Sequence, residues 1–299
     1  MKIEIEAKRL KNYLEDVYLK GKYYDGASSK NGILSDYAMM SVEDTGELRI
    51  ANASPSVACR IDHHFTDEQD VSQGACIIDI ANVLKHLKVF SGDMTFTCND
   101  HIVMTDSTKK ASLSKALTHP HMDMINRILE YDLGPLSRSQ RAGQLGMVQF
   151  GRTQFDSMVT LLEDDAVDAA KACDVLNLAR YKFDFTSGDV LPNSNPRDTK
   201  LTISSQKTEV DRVEVSVDMV NADGVDSTVE FTGPFSGFVS GLVSVFLKDD
   251  SPVMFYSPNR LLIKAYGEEN IDNLCGENVD CSEREYQLNR KSSFKILKF

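Results

Sequence analysis

Apolar residues recur along residues 1–116 at spacings that alternate between helix and strand. Ile3 and Ile5 alternate with charged neighbours as a strand over Lys2–Ile5, and Leu10, Tyr13, Leu14 and Val17 then mark one face of a helix over Ala7–Leu19. Ile80, Val83, Leu84 and Leu87 fall at i, i+3, i+4 and i+7, which predicts a second helix with Lys85, His86 and Lys88 off its apolar stripe. Ser91-Gly92-Asp93 stops that helix. Strand-like alternation follows at Met94–Phe96, a turn at Asn99-Asp100, a return strand at Ile102–Met104 and a short strand at Ala111–Leu113. Lys109, Lys110 and Lys115 flank the last of these, the charges an unpaired sheet edge tends to carry.

The same order recurs when the chain is shifted from Ile3 to Val148. Val148, Phe150, Phe155, Met158, Val159 and Leu162 then stand where Ile3, Ile5, Leu10, Tyr13, Leu14 and Val17 stood, predicting a strand and then a helix over Thr153–Leu162. Phe235–Leu247 is a helix-length apolar segment, Val253–Phe255 a strand, Pro258-Asn259 a turn and Leu261–Tyr266 the return. Between these parts each half holds short strands: Met39–Val42, Glu47–Ile50 and Val57–Ile61, then Tyr181–Phe185, Lys200–Ser204, Val213–Val217 and Thr228–Phe231, with Gly46, Gly188 and Gly224 marking turns. The reading is α+β: two duplicated domains, 1–117 and 145–299, each with two helices packed on antiparallel sheets. A connector, 118–144, carries a short amphipathic helix whose apolar residues Met122, Ile125, Ile128 and Leu129 serve either to pack on a domain or to bind something else. Gly267–Arg290 is an exposed excursion before a last strand, Phe294–Phe299.

Composition adds limits. The chain has 299 residues, 41% hydrophobic and 26% charged, as expected of globular domains with a core. Its net charge is −12, but residues 1–117 are close to balanced and the acidic excess falls in 145–299. A local basic surface is therefore compatible with the total. No apolar leader opens the sequence and Gly233–Leu247 is too short and too broken to span a bilayer, so an intracellular protein without a membrane partner is expected. The six cysteines form no CxxC pair and read as reduced core thiols. His63-His64 and His119-Pro120-His121 lack further ligands at zinc spacing, so neither a metal site nor a cofactor is expected. A phosphate-binding loop, a nucleophile elbow, an HExxH helix and paired carboxylates on one face are all missing, which argues against an enzyme.

Several stretches resemble the DNA sliding clamps, the proliferating-cell-nuclear-antigen type of eukaryotes and archaea in particular. Thr45–Ile61, TGELRIANASPSVACRI, resembles that family's glycine-led strand, small turn and second strand. Asp79–Lys88 with Ser91-Gly92-Asp93 resembles its second helix and turn, and Leu261–Tyr266 with Phe294–Phe299 its terminal strands. The departures are the residues around Ala53-Ser54, the helix-forming connector, the insertion at 267–290 and a second half whose helices are poor in base.

The resemblance implies a DNA-clamp fold assembling into a ring around double-stranded DNA, a processivity factor that tethers DNA polymerase and other clamp-binding proteins of replication and repair and is opened by a clamp loader. The compartment it implies is the nucleus, or an archaeal or viral-host cytoplasm. DNA contacts are expected at Lys8, Arg9, Lys11, Lys85, Lys88, Arg152 and Lys248. A partner peptide is expected against Met122, Ile125, Ile128, Leu297 and Phe299. Two alternating, lysine-flanked strands, holding Lys110, Leu113 and Lys115 and then Leu201 and Ile203, are expected at opposite edges of the subunit as the contacts of a homotrimer. The alternative within the same fold is a monomeric processivity factor or a checkpoint-type clamp of a mixed ring.

Overall fold

The computed structural model describes residues 1–18, 35–53, 57–65, 71–129, 149–150, 153–154, 157–161, 180–186, 200–206, 208–224, 227–232, 253–257, 260–266 and 291–298. The chain divides into two compact units, the described residues up to Leu129 forming the first and those from Gln149 the second.

The first unit opens with β1 (Lys2–Glu6), whose Ile3 and Ile5 are buried while Glu4 and Glu6 are exposed. It runs directly into α1 (Ala7–Tyr18), which buries Ala7, Leu10, Tyr13, Leu14 and Val17, a stripe of helical period. Next come β2 (Tyr37–Val42), β3 (Glu47–Ala53), β4 (Val57–His64), β5 (Val71–Ser72) and β6 (Gly74–Asp79). Gly46, at φ +76°, supplies the left-handed residue of the β2–β3 turn, its N–H donating to Glu43 O at 3.1 Å. Helix α2 (Ile80–Leu87) starts where the Asp79 side chain accepts from Asn82 N–H. After it lie β7 (Asp93–Cys98), β8 (Ile102–Thr105), β9 (Lys110–Leu113) and α3 (Met122–Leu129). The β7–β8 turn takes in His101 as well as the expected Asn99-Asp100, because Cys98 pairs with Ile102.

These strands form a five-stranded antiparallel sheet, β5-β1-β7-β8-β9, and a second antiparallel array, β6-β2-β3-β4. Both α1 and α3 pack on β3 and β4. Side chains alternate between the faces of a strand, so β4 assigns the helices to opposite faces. His63 meets the Tyr13 hydroxyl at 3.1 Å and Cys59 donates to Asp16 O, both on α1, whereas Arg60 donates to Ile128 O and Leu129 O at the end of α3. The sheet is thus covered on both sides, which is why the run Ala58–His63 is buried at every position, polar residues included.

The second unit's described residues are strands: β10 (Gln149–Phe150), β11 (Thr153–Gln154), β12 (Ser157–Leu161), β13 (Arg180–Thr186), β14 (Lys200–Gln206), β15 (Arg212–Gly224), β16 (Ser227–Thr232), β17 (Val253–Ser257), β18 (Arg260–Tyr266) and β19 (Lys291–Lys298). Apart from the β10–β11 pair they run antiparallel in the order β16-β13-β14-β15-β12-β17-β18-β19. Gly224, expected in a turn, is the last residue of β15 and pairs with Ser157. The helix expected over Thr153–Leu162 is not formed: β12 lies between β15 and β17, with Val159 opposite Ala222 and Met254. The apolar spacing there fits a short strand as well as a helix, and the β-branched Val159 and Thr160 tip a five-residue segment toward extended pairing. The expected helix at Phe235–Leu247, the turns at Gly188 and Pro258-Asn259 and the excursion at 267–290 lie outside the described residues.

Candidate nucleic-acid interface

Helices α1 and α2 pack against one another with their apolar faces turned into the first unit, so their polar faces lie side by side. Lys8 and Lys11 stand at i and i+3 on α1. Lys85 sits on α2 and Lys88 at its C-cap, again three apart, so each pair shares a helix face. Lys8, Lys85 and Lys88 are exposed, while Arg9 and Lys11 are half-buried. Lys11 Nζ lies 3.8 Å from Glu15 Oε1, a partly exposed contact that leaves the ammonium available to a phosphate. Asn12 and Asn82, which pattern reading passed over, are exposed and half-exposed between these cations and add neutral hydrogen-bonding groups. The arrangement is a patch of separated positive charges interspersed with amide groups, suited to diffuse phosphate contact. Arg152 and Lys248 lie outside the described residues.

The connector helix behaves differently from the partner-binding expectation. Ile125 and Ile128 are both fully buried against β3 and β4, so they hold α3 to its own unit and their side chains are not presented to a peptide. Met122 is half-exposed. The main chain of Leu297, in β19, pairs with Leu261 of β18, and Phe299 lies outside the described residues.

Two arginines that sequence reading missed close the end of α3. Residues Arg49 and Asp62 are cross-strand partners, as are Ala51 and Arg60, placing all four on the face toward α3. Arg60 Nε and Nη2 donate to Asp62 Oδ1 and Oδ2 at 2.7 and 2.6 Å, and Nη1 donates to Ile128 O and, at 3.2 Å, to Leu129 O. Arg49 Nη1 donates to Leu129 O at 3.0 Å while its other nitrogens bond Glu47. Cations thus satisfy the carbonyls that a helix C-terminus leaves open. Burial pushes the Asp62 carboxyl up to about 6 against the pull of Arg60.

Just before α3, buried His119 ties three segments together. Its Nε2–H donates to Tyr37 O at 3.0 Å and lies 2.9 Å from Ser35 Oγ, and its Nδ1 accepts from His121 N–H at 3.0 Å. Asn52 Nδ2 donates to Val17 O and Ser35 O. Burial lowers the imidazole to about 4, so the ring is neutral.

The edge expectations divide. Strand β9 is the terminal strand of its sheet, with Lys110 and Lys115 exposed and Leu113 turned in. Strand β14 is not an edge: Ile203 pairs with Phe183 of β13 on one side and Val215 of β15 on the other, and Leu201 with Phe185 and Val217. Both of its ladders are used inside the unit. The open edge of that sheet is β16, which pairs only with β13 among the described strands. Among the described residues, no group of three or more His, Cys, Asp or Glu could hold a metal ion, and no helix is long and apolar enough to cross a membrane.

The first unit thus lays two helices side by side on antiparallel sheets, and a second sheet-forming unit follows in the same chain. Neither protein-family models nor curated proteins match the sequence. Solved structures do match its fold over its full length. A putative DNA polymerase III beta subunit from Eubacterium rectale superposes with a TM-score of 0.64 at 11% identity, the chain covering 65% of it. The Helicobacter pylori beta clamp bound to a DNA ligase peptide gives 0.58 at 9%, again with 65% covered. A chain of the PCNA2–PCNA3 complex from Sulfolobus tokodaii gives 0.60 at 8% identity, with 98% of it covered. The chain therefore has the sliding-clamp fold, spanning about two thirds of the beta clamps and almost all of the PCNA chain.

Proposed function

We propose that this protein is a sliding clamp: a non-catalytic ring that encircles duplex DNA and tethers a polymerase and other replication or repair proteins to it. The observation that carries the proposal is the paired basic face of α1 and α2, Lys8, Lys11, Lys85 and Lys88, on a chain whose whole length follows the clamp fold. A tether that slides requires weak, sequence-independent phosphate contacts, and mobile lysines on outward helix faces supply them. The near-complete coverage of the PCNA chain supports a subunit of that type, three of which close the ring as a homotrimer. Pairing of β9 with the open strand β16 of the next copy is the head-to-tail contact we assign to closure. A partner peptide is a further expected ligand, since the H. pylori beta clamp is bound to a DNA ligase peptide, and Met122 is the half-exposed connector residue open to one. The Sulfolobus tokodaii structure is a complex of two different clamps, which favours a mixed ring as the second reading.

Electron microscopy of the purified protein, with light scattering at micromolar concentration, tests this. Rings with a central hole and three times the 33.3 kDa chain mass are expected. Compact particles of one chain mass would reject the homotrimer, and rings seen only after addition of a second clamp chain would establish the mixed assembly.

A further inference from the structure

One side chain near the α2 lysines can change the charge that this helix carries. His86 lies in the last turn of α2 and is half-exposed. Its Nδ1 stands 2.9 Å from Asn82 O, one turn back. A carbonyl oxygen only accepts, so Nδ1 bears the hydrogen and the neutral ring presents Nε2 as a bare lone pair. Nε2 has no partner among the described residues, and it is not shut in either, since the buried side-chain oxygen or nitrogen left without a partner there is Ser41 Oγ. The ring therefore opens to solvent through Nε2. Asn82 shares a helix face with His86, four residues on, and with Lys85, three residues on, so the imidazole and the Lys85 ammonium flank the same amide. A lone pair cannot bond a phosphate oxygen, which is itself an acceptor. Protonation turns Nε2 into a charged donor and leaves the bond to Asn82 O in place.

We propose that His86 is a proton-gated phosphate contact, which joins Lys85 and Lys88 on duplex DNA only as the imidazolium, so that binding takes up a proton. This rests on the reading of α1 and α2 as the DNA-facing helices. Imidazole is the side chain whose charge ordinarily changes between about pH 5 and 8. The groups on α2 and on the elements packed against it carry both signs. Lys85 and Lys88, with Lys8, Arg9 and Lys11 of α1, repel the added proton. Glu15 and Asp16 of α1, Asp79 at the end of β6 and the carbonyl end of α2 attract it, and burial keeps the Tyr18 phenol uncharged. A DNA phosphate at Nε2 adds a further anion, so the proton is held more tightly in the complex than in the free protein. By linkage, affinity rises as pH falls through that range, and the contact is lost as pH rises. The proton comes from solvent and rests on Nε2, and no other bond is made or broken.

The test is fluorescence anisotropy of the full chain titrated into a labelled blunt-ended duplex over a range of salt at about pH 5.5 and about pH 7.5. Calorimetry in two buffers of unlike ionisation enthalpy counts the protons taken up. The wild-type chain should bind several-fold tighter at the lower pH, with the slope of log affinity against log salt steeper by about 1 for each His86 that meets a phosphate. His86→Gln, neutral at both values, should lose that steepening and the matching part of the proton uptake. His86→Lys should show the steep slope at both. Equal proton uptake in the wild type and His86→Gln, or a wild-type slope that does not change with pH, would overturn the proposal, while charge reversal of Lys85 and Lys88 still reports whether this face meets DNA. Absence of duplex binding at both pH values in low salt would reject the DNA-facing reading itself, and this proposal with it.

Discussion

Replacing Arg60 by Met should release the end of α3 at a cost set by the charge left behind. The guanidinium is 1% exposed and holds Asp62, 4% exposed, by two bonds while donating to two helix-end carbonyls. Breaking a buried pair on one side costs about 3–5 kcal/mol, most of it for the stranded partner. Loss of the carbonyl contacts is part of that figure rather than an addition to it, because Arg49 still donates to Leu129 O. The variant Arg60→Met/Asp62→Leu removes the stranded charge and should recover at least about 1 kcal/mol of the loss. pH offers an independent check. A carboxyl raised to about 6 in the folded state stabilises it when protonated, so this contribution is lost as pH rises through 6 and regained as it falls. The single variant, whose Asp62 is more easily protonated still, should therefore approach wild type between pH 7.5 and pH 5. Urea unfolding by circular dichroism measures the cost, and hydrogen exchange of peptides covering Met122–Leu129 localises it. A loss under about 1 kcal/mol, or a double variant less stable than the single, would refute the argument.

Four further outcomes are expected. Ile128→Ala should cost about 2–5 kcal/mol in stability of the first unit, because its fully buried side chain leaves a cavity between α3 and the sheet; unchanged unfolding would show that α3 is not docked in solution. The His119 imidazole, lowered to about 4 from 6.5, contributes stability above pH 6.5 that is lost as pH falls toward 4, about 2 kcal/mol after allowance for screening, and His119→Gln should flatten that limb of a pH–stability curve in the Arg60→Met/Asp62→Leu background. Gly74→Ala, at φ +149° and facing Met1, should cost about 1–3 kcal/mol in thermal denaturation. Charge reversal of Lys85 and Lys88 together should lower affinity for duplex DNA and make the slope of log affinity against log salt shallower by about 2, whereas an unaltered slope would move the DNA contact elsewhere.

What the sequence showed was local. Helices α1 and α2, the β7–β8–β9 run and α3 follow from stripes that lie within one element, and their physics is set by neighbours in the chain. Most of the failures depend on what lies across space. A face such as that of Ile125 and Ile128 has the same pattern whether it covers its own sheet or a partner. Lysines flanking Leu201–Ile203 suit a sheet edge, but one solvent-facing side of a central strand is polar too, and half-exposed Thr202 and Ser204 occupy it. At β12, five residues were too few to separate a period of 2 from one of 3.6. Arg60, written as a charge among strand residues, became legible only with α3 in place.

The double cover on β3 and β4 bears on how this sequence can drift. In β1 every second position faces solvent, so substitutions at Glu4 and Glu6 should be accepted freely while Ile3 and Ile5 are held. Along Ala58–His63 there is no tolerant phase: Cys59, Ile61 and His63 answer to α1, and Arg60 and Asp62 answer to α3. A replacement on either side has to be matched by a change in a different helix. Variation in α1 and variation in α3 are thereby linked through a strand that neither can alter alone, and related chains should show paired exchanges across it where the outer helix faces vary independently.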